Sequence, residues 1–191
     1  MCTSEYTQSL LNLSESANKS GVTLTTIFLG NESLIQRGRN TIAHHFMNLP
    51  DATHLLFIDA DIKFRVEDIV KMIQADKSLI IGPVALKGYN WEEIRQAAVN
   101  GEDDIGRTGG VFNINHLPGI DMVNENEPFE IEHGGNAFMM IRRDVFETLK
   151  PHTPIYTNGG RSLPDGVEIY DYFRVEINNC LLYTSPSPRD S

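Results

Sequence analysis

Apolar and polar positions alternate in blocks along the chain, and the blocks set the expected elements. Residues 6–17 place Leu10, Leu11 and Leu13 among polar positions, with Ser and Thr at hand as caps, and predict a helix. Lys19-Ser20-Gly21 supplies its stop, and residues 22–29, rich in β-branched side chains, predict a strand. Gly30-Asn31-Glu32-Ser33 then turns the chain into a second helix over 34–48. Ser33 is its expected N-cap, and Ile35, Ile42, Ala43 and Phe46 form its apolar face. Pro50-Asp51 ends it. Leu55, Leu56, Phe57 and Ile58 follow as a continuous apolar run, the pattern of a strand covered on both faces.

Residues 65–75 predict a helix, with Val66, Ile69, Val70 and Ile73 apolar, and 77–81 the next buried strand, closed by Gly82-Pro83. A short helix is expected through Ala98, and 100–110 reads as an exposed loop. Residues 111–114, 120–123 and 129–131 are short β-like pieces split by turn residues, which predicts small antiparallel strands. An apolar strand over 137–141 and a short helix over 143–149 come next. After a Gly/Pro/Asp loop over 158–166, residues 167–177 are mixed, β-like and aromatic. The repeated helix-to-strand alternation makes a parallel sheet the economical expectation: an α/β domain flanked by helices.

A chain of 191 residues is long enough for a substantial core in one domain. Its 16 Lys and Arg against 26 Asp and Glu give a net charge of −10, which argues against nucleic acid as a partner while leaving room for a single nucleotide. No run reaches the ~20 apolar residues of a membrane span, and no basic-then-apolar leader opens the chain, so a cytoplasmic location is expected. Cys2 and Cys180 make neither a disulfide framework nor a zinc spacing. Three Asn-x-Ser triplets, at Asn12, Asn18 and Asn31, read as chance without a secretory signal.

Residues 180–190, C-L-L-Y-T-S-P-S-P-R-D, read as the in-frame translation of a sequencing adapter, so 180–191 is expected to be a non-native tail and 1–179 the domain. On that expectation Cys2 is the one genuine cysteine, and the natural C-terminal continuation is missing. The abrupt entry into a helix predicts that a first strand is missing too.

The most informative chemistry lies where the run ending at Ile58 meets Asp59 and Asp61. Open α/β sheets bind ligands beyond the carboxyl ends of their strands. Two carboxylates one residue apart can face one small volume, where they repel unless a cation lies between them; a hard divalent ion, Mg²⁺ or Mn²⁺, is the natural guest. In the preceding helix, Arg37 and Arg39 cannot share a face. One of them is expected to offer a fork to phosphate and the other to be solvated, against the plainer reading of two surface arginines. His44 and His45 diverge too far for a shared metal. Lys87 could face a phosphate, although a lone Lys near a turn is more often solvated. Gly134 and Gly135, before the 137–141 strand, let backbone pass close to a ligand or simply serve a tight turn.

Leu34 to Asn40, L-I-Q-R-G-R-N, followed by T-H-L-L-F-I-D-A-D-I over 53–62, resembles glycosyltransferases of the GT-A fold, particularly small bacterial and phage-type members. The glycines, strand and Arg-Arg-Asp-Val-Phe of 132–149 resemble the segment that shapes the sugar pocket in such enzymes. The resemblance spans about 6–179. It implies a Rossmann-like, mainly parallel GT-A sheet and transfer of a sugar from a UDP- or GDP-sugar to an acceptor hydroxyl, on a glycan or another molecule. It further implies that Asp59 reaches the donor's ribose or sugar, that Asp61 holds Mn²⁺ or Mg²⁺ on the diphosphate, and that Arg37 or Arg39, Asn40, Gly134 and Gly135 help bind the donor. The family's base is a late carboxylate: Asp171, Glu168 and Glu176 are available, Asp171 being the candidate, while the family's Glu-Asp motif would fall beyond 179. The expectation is therefore a metal-dependent glycosyltransferase, inactive if those missing parts are essential.

Two other readings stand beside it. A haloacid-dehalogenase-type phosphohydrolase would use Asp59 as nucleophile and Asp61 as acid/base, but Lys63 stands where that pattern wants a small hydroxyl or β-branched residue. A non-catalytic domain that binds a nucleotide sugar or a metal is the other.

Overall fold

The computed structural model describes residues 2–30, 32–102, 105, 109–119, 127–159 and 163–175. The expected strand over 120–123, the carboxylate Glu176 and the 180–191 tail lie outside these residues. The described residues fall into two compact units, one within 1–25 and 54–142, the other within 26–53 and 143–191.

The first unit is built on a three-stranded sheet, with β1 (His54–Ile58) and β2 (Leu79–Ile81) on either side of β7 (Phe138–Arg142). Both pair antiparallel with β7, Leu56 opposite Met140 and Ile80 also opposite Met140. β1 and β2 thus run in the same direction, connected through α3 (Val66–Gln74), but with an opposed strand between them. β3 (Ala85–Tyr89) pairs with β4 (Gly110–Phe112), and β5 (Ile114–His116) with β6 (Ile131–Gly134), each an antiparallel two-stranded sheet. α1 (Ser4–Ser20) and α4 (Trp91–Asn100) complete the unit.

The expected mainly parallel, Rossmann-like GT-A sheet is corrected by this topology: among the described residues every strand pairing is antiparallel. Helix–strand alternation sets the direction of β1 relative to β2. It does not determine which later strand enters between them, and β7 returns from a distant part of the chain in the opposite sense. Residues 22–29, expected as a strand, form none, and Val22, Leu24 and Phe28 are exposed. β-propensity describes a side chain's fit to a pleated, half-buried surface, and no neighbouring strand supplies that surface here.

α1 starts where expected in kind: the Thr3 hydroxyl accepts from the Tyr6 N–H, and Gly21, at φ 68°, closes the helix by donating to the Ala17 carbonyl. Its apolar face, with Tyr6 and Leu13, packs with Phe64, Ile69, Met72, Phe138 and Met140 into the unit's core. Tyr6 meets Phe64 edge-on at 6.1 Å, and Phe64 meets Phe138 at 6.0 Å. Burying a side chain of this size contributes roughly 1.5–3 kcal/mol. Leu56 and Ile58 pack on the same core while Leu55 and Phe57 are buried on the other face of β1, so the strand is covered on both sides as its apolar run predicts. β2 differs from expectation in being only partly covered, with Leu79 exposed.

The second unit holds α2 (Ile35–Met47), α5 (Arg143–Leu149) with a 3₁₀ turn over Lys150–His152, and the antiparallel pair β8 (Ile155–Thr157) and β9 (Glu168–Tyr170). Phe146 is its centre, 5.6 Å from Phe46, 5.1 Å from Tyr172 and 6.4 Å from Phe173 between ring centroids. Ser33 is not the cap of α2. Leu34 holds that position without a side-chain bond, and the Glu32 carboxylate takes the Leu34 N–H at 3.0 Å instead.

Candidate functional site

The turn after β1 carries both carboxylates and is tied down on three sides. The Asp59 N–H donates to the Ala137 carbonyl at 2.8 Å, extending the β1–β7 ladder by one residue. The Ile62 N–H closes the turn on the Asp59 carbonyl at 3.0 Å, and the Thr3 N–H at the start of α1 donates to the Ala60 carbonyl at 3.0 Å. Asp59 and Asp61 are both exposed on this fixed turn. Backbone restraint combined with side-chain exposure is what a ligand-facing pair needs: the position is set before anything binds.

Lys87, on β3, brings its Nζ to 3.6 Å from Asp61 Oδ2, with the Asp61 side chain 52% exposed. An ion pair so open to water stabilises the fold by at most about 1 kcal/mol, so its meaning is positional: it sets a cation beside Asp61. Asp61 also lines an open cleft of about 340 Å³ with Lys63, Phe64, Asp68, Val84 and Phe138. Among the described residues no group of three or more His, Cys, Asp or Glu is gathered as a cation cage. Two carboxylates are a donor set that Mg²⁺ accepts when water or other oxygens complete its shell.

Gly134 and Gly135 lie in the same unit, and their neighbours explain them. A Cβ on Gly134 would stand 2.8 Å from Ile131 Cδ1. One on Gly135 would run into the Asn113 side chain, which is pinned because its Oδ1 accepts from the Val84 N–H at 3.0 Å. The Gly135 N–H in turn donates to the Asn113 carbonyl at 2.8 Å. Both positions are closely packed, Gly134 against Ile131 and Ile81 and Gly135 against Asn113.

The remaining expected residues belong to the second unit. Arg37 turns its fork onto Glu32, Nε to Oε2 at 2.7 Å and Nη2 to Oε1 at 2.6 Å. The Arg37 guanidinium, helped by the Leu34 N–H, pulls the Glu32 carboxyl down to about 2. Arg39 is buried, not solvated. Asn40, 1% exposed, donates from Nδ2 to Asp171 Oδ1 at 2.6 Å and accepts at Oδ1 from the Phe173 N–H at 2.9 Å. Asn40 and Asp171, expected in separate roles, are thus partners in one clasp that holds residues 171–173 on α2. Nearby, the Tyr156 hydroxyl is buried beside Asn40, and burial pushes its pKa up, opposed in part by its interaction with the Asn40 side chain. The His44 and His45 rings sit edge to face, 6.1 Å apart, and burial followed by His45 lowers the His44 pKa.

Arg143, within the Arg-Arg-Asp-Val-Phe stretch, has a structural task that its sequence position did not announce. It donates from Nε to the Ala52 carbonyl at 2.6 Å, and from Nη2 to the carbonyls of Phe46, at 3.0 Å, and Leu49. Its Cζ lies 4.7 Å over the Phe46 ring. The guanidinium therefore caps the C-terminal end of α2, where helix carbonyls lack intrahelical donors.

Among the described residues no helix is long and apolar enough to cross a membrane. Comparison of the chain with protein-family models, with curated proteins and with solved structures gives no match.

Proposed function

We propose that the chain binds a nucleoside-diphosphate sugar, UDP- or GDP-linked, through a divalent cation at Asp59 and Asp61, and belongs to a transferase that moves the sugar to an acceptor hydroxyl. The observation that carries this reading is the exposed carboxylate pair on a backbone-tethered turn, with Lys87 beside Asp61. Two carboxylates suit an ion whose ligand brings further oxygens, and a diphosphate does. Asp61, at the cleft wall, holds the ion; Asp59 holds it or reaches the donor's sugar. Bound there, Mg²⁺ or Mn²⁺ supplies Lewis-acid stabilisation of the charge on a departing nucleoside diphosphate. Lys87 gives the second positive group, a part expected of Arg37 or Arg39; the Arg37 fork is engaged by Glu32, and Arg39 is buried. Asp171 has one oxygen committed to Asn40, and the reading assigns it no proton transfer. A nucleotide-sugar donor implies a cytoplasmic setting.

Calorimetry with UDP and GDP, with and without Mn²⁺, tests the reading. Expected are binding of at least one nucleotide that requires Mn²⁺, its loss in Asp61→Ala, and about tenfold weaker binding in Lys87→Ala, the effect of removing one charge-assisted contact. Absence of metal-dependent nucleotide binding, or binding indifferent to Asp61→Ala, overturns it.

A further inference from the structure

We infer that α1 is a positioning strap for the Asp59–Asp61 turn: the Thr3 amide and the Ser9 hydroxyl grip the two ends of the 60–64 segment and thereby aim the Asp61 carboxylate. That the aimed carboxylate serves a nucleotide-bound cation rests on the function proposed above; the grip itself does not.

Ser9 singles the helix out. Of the 17 residues of α1, Tyr6, Ser9, Leu13 and Ala17 are buried, a stripe at helical spacing that docks the helix on its unit. Ser9, only 5% exposed, is the polar member of that stripe. An alanine there would bury no polar group and would suit the helix better, so what the serine adds is its hydroxyl. Its Oγ accepts from the Phe64 N–H at 3.2 Å, in a buried setting. The second grip is at the start of the helix, where the Thr3 N–H donates to the Ala60 carbonyl at 3.0 Å. That carbonyl shares a planar peptide unit with the Asp61 N–H, so α1 sets the plane of the peptide that enters Asp61. Between the grips, the Ile62 N–H closes on the Asp59 carbonyl at 3.0 Å. Asp61 therefore stands on backbone fixed from both sides.

Packing alone does not explain this hold. A cleft of about 390 Å³ lies between α1, at Glu5, Gln8 and Asn12, and residues 63–67. Beside that open space the segment is held by the two hydrogen bonds and by the edge-on contact of Tyr6 with Phe64. A hydrogen bond is directional where apolar contact is not, which suits these bonds to aiming a side chain. Aim matters at a cation site, because Mg²⁺ demands near-octahedral oxygens at about 2.1 Å. A turn free to swing must be ordered by the ligand, and affinity falls by that cost. Thr3 and Ser9 are thus positioning residues: they act on the ion through Asp61 and do not touch it.

Paired substitutions separate the grip from the fold. Thr3, at φ −83° and ψ 159°, already has a backbone that proline adopts. Thr3→Pro removes its N–H and its capping hydroxyl, while Thr3→Ala removes the hydroxyl alone. Ser9→Ala removes the other grip, and Leu13→Val trims the same buried stripe without touching either bond. Circular dichroism verifies each fold. In metal-free protein, exchange of the Ile62 amide should quicken about tenfold in Thr3→Pro and Ser9→Ala relative to the parent and to the two controls, while amides paired between β1 and β7 keep their protection. Mn²⁺-dependent binding of UDP or GDP, followed by calorimetry, should weaken about fivefold in the same two variants and stay within about twofold of the parent in Thr3→Ala and Leu13→Val. An Ile62 amide indifferent to both grip substitutions, nucleotide affinity unchanged by them, or an equal loss in Leu13→Val would overturn the strap. A parent that binds no nucleotide with Mn²⁺ overturns the proposed function instead, and the exchange result then decides the strap by itself.

Discussion

Replacing Arg143 by Met keeps the aliphatic stem of the side chain and removes its charge and its fork, and the loss follows from what the fork touches. The bond to the Ala52 carbonyl at 2.6 Å is a charged-group hydrogen bond, worth about 1.5–3 kcal/mol. The bonds to the Phe46 and Leu49 carbonyls contribute less, because these oxygens also accept from the Leu49 N–H at 3.0 Å and the Ala52 N–H at 3.1 Å and keep a partner when Arg143 is gone. Neutralising the end of the α2 dipole adds about 0.5 kcal/mol, and the contact with the Phe46 ring, 4.7 Å from Cζ, about 0.5–1 kcal/mol. A total near 3–4 kcal/mol is expected for Arg143→Met. Arg143→Lys should lose about 2 kcal/mol, since a point ammonium cannot span the carbonyls that the planar fork joins. Urea denaturation followed by circular dichroism measures the loss, and hydrogen exchange locates it: amides of α2 should lose protection while those paired between β1 and β7 keep theirs. Arg143→Lys as stable as the parent, or Arg143→Met within about 0.5 kcal/mol of it, would refute the capping role.

Glu32, held near pKa 2 by the Arg37 fork against an ordinary 4.5, contributes stability that is fully present above pH 4.5 and fades as pH falls through about 2. Acid titration followed by circular dichroism should show Glu32→Gln less stable than the parent at neutral pH, with a shallower decline over that window. Asn40→Ala removes both bonds of a buried clasp and leaves the Phe173 N–H without its acceptor. A loss of about 2–4 kcal/mol is expected in urea denaturation, together with faster exchange of the Phe173 amide.

Much of the secondary structure is legible in the chain. The end of α1 follows from Gly21, which alone adopts φ 68° there without strain, and the apolar residues of 65–75 recur at helical spacing and become α3. The strand covered on both faces, Leu55 to Ile58, and the carboxylates at its end are likewise read directly. Residues 22–29 mark the opposite case, because β-branched residues make a strand only where a partner edge exists. Lys87 was visible as a lone lysine, and only the approach of β3 to the turn after β1 gave it Asp61 as a neighbour.

By itself, the sequence determined the local features of this protein: helix periods, caps and stops, the apolar run of β1, and the two carboxylates one residue apart at its end. Tertiary structure decided everything that depends on which distant segments meet. It placed β7 between β1 and β2 in the opposite direction, turned Arg37 onto Glu32, joined Asn40 to Asp171 across 131 residues, and set Arg143 on the end of α2. The reason is physical. Local structure follows from torsional preference and side-chain period within a few residues, whereas strand order and the partner of a charged group are settled by which surfaces are buried together. Asp59 and Asp61 stand at the meeting of the two, their types and spacing written in the chain and their exposure, tether and neighbouring cation supplied by the fold.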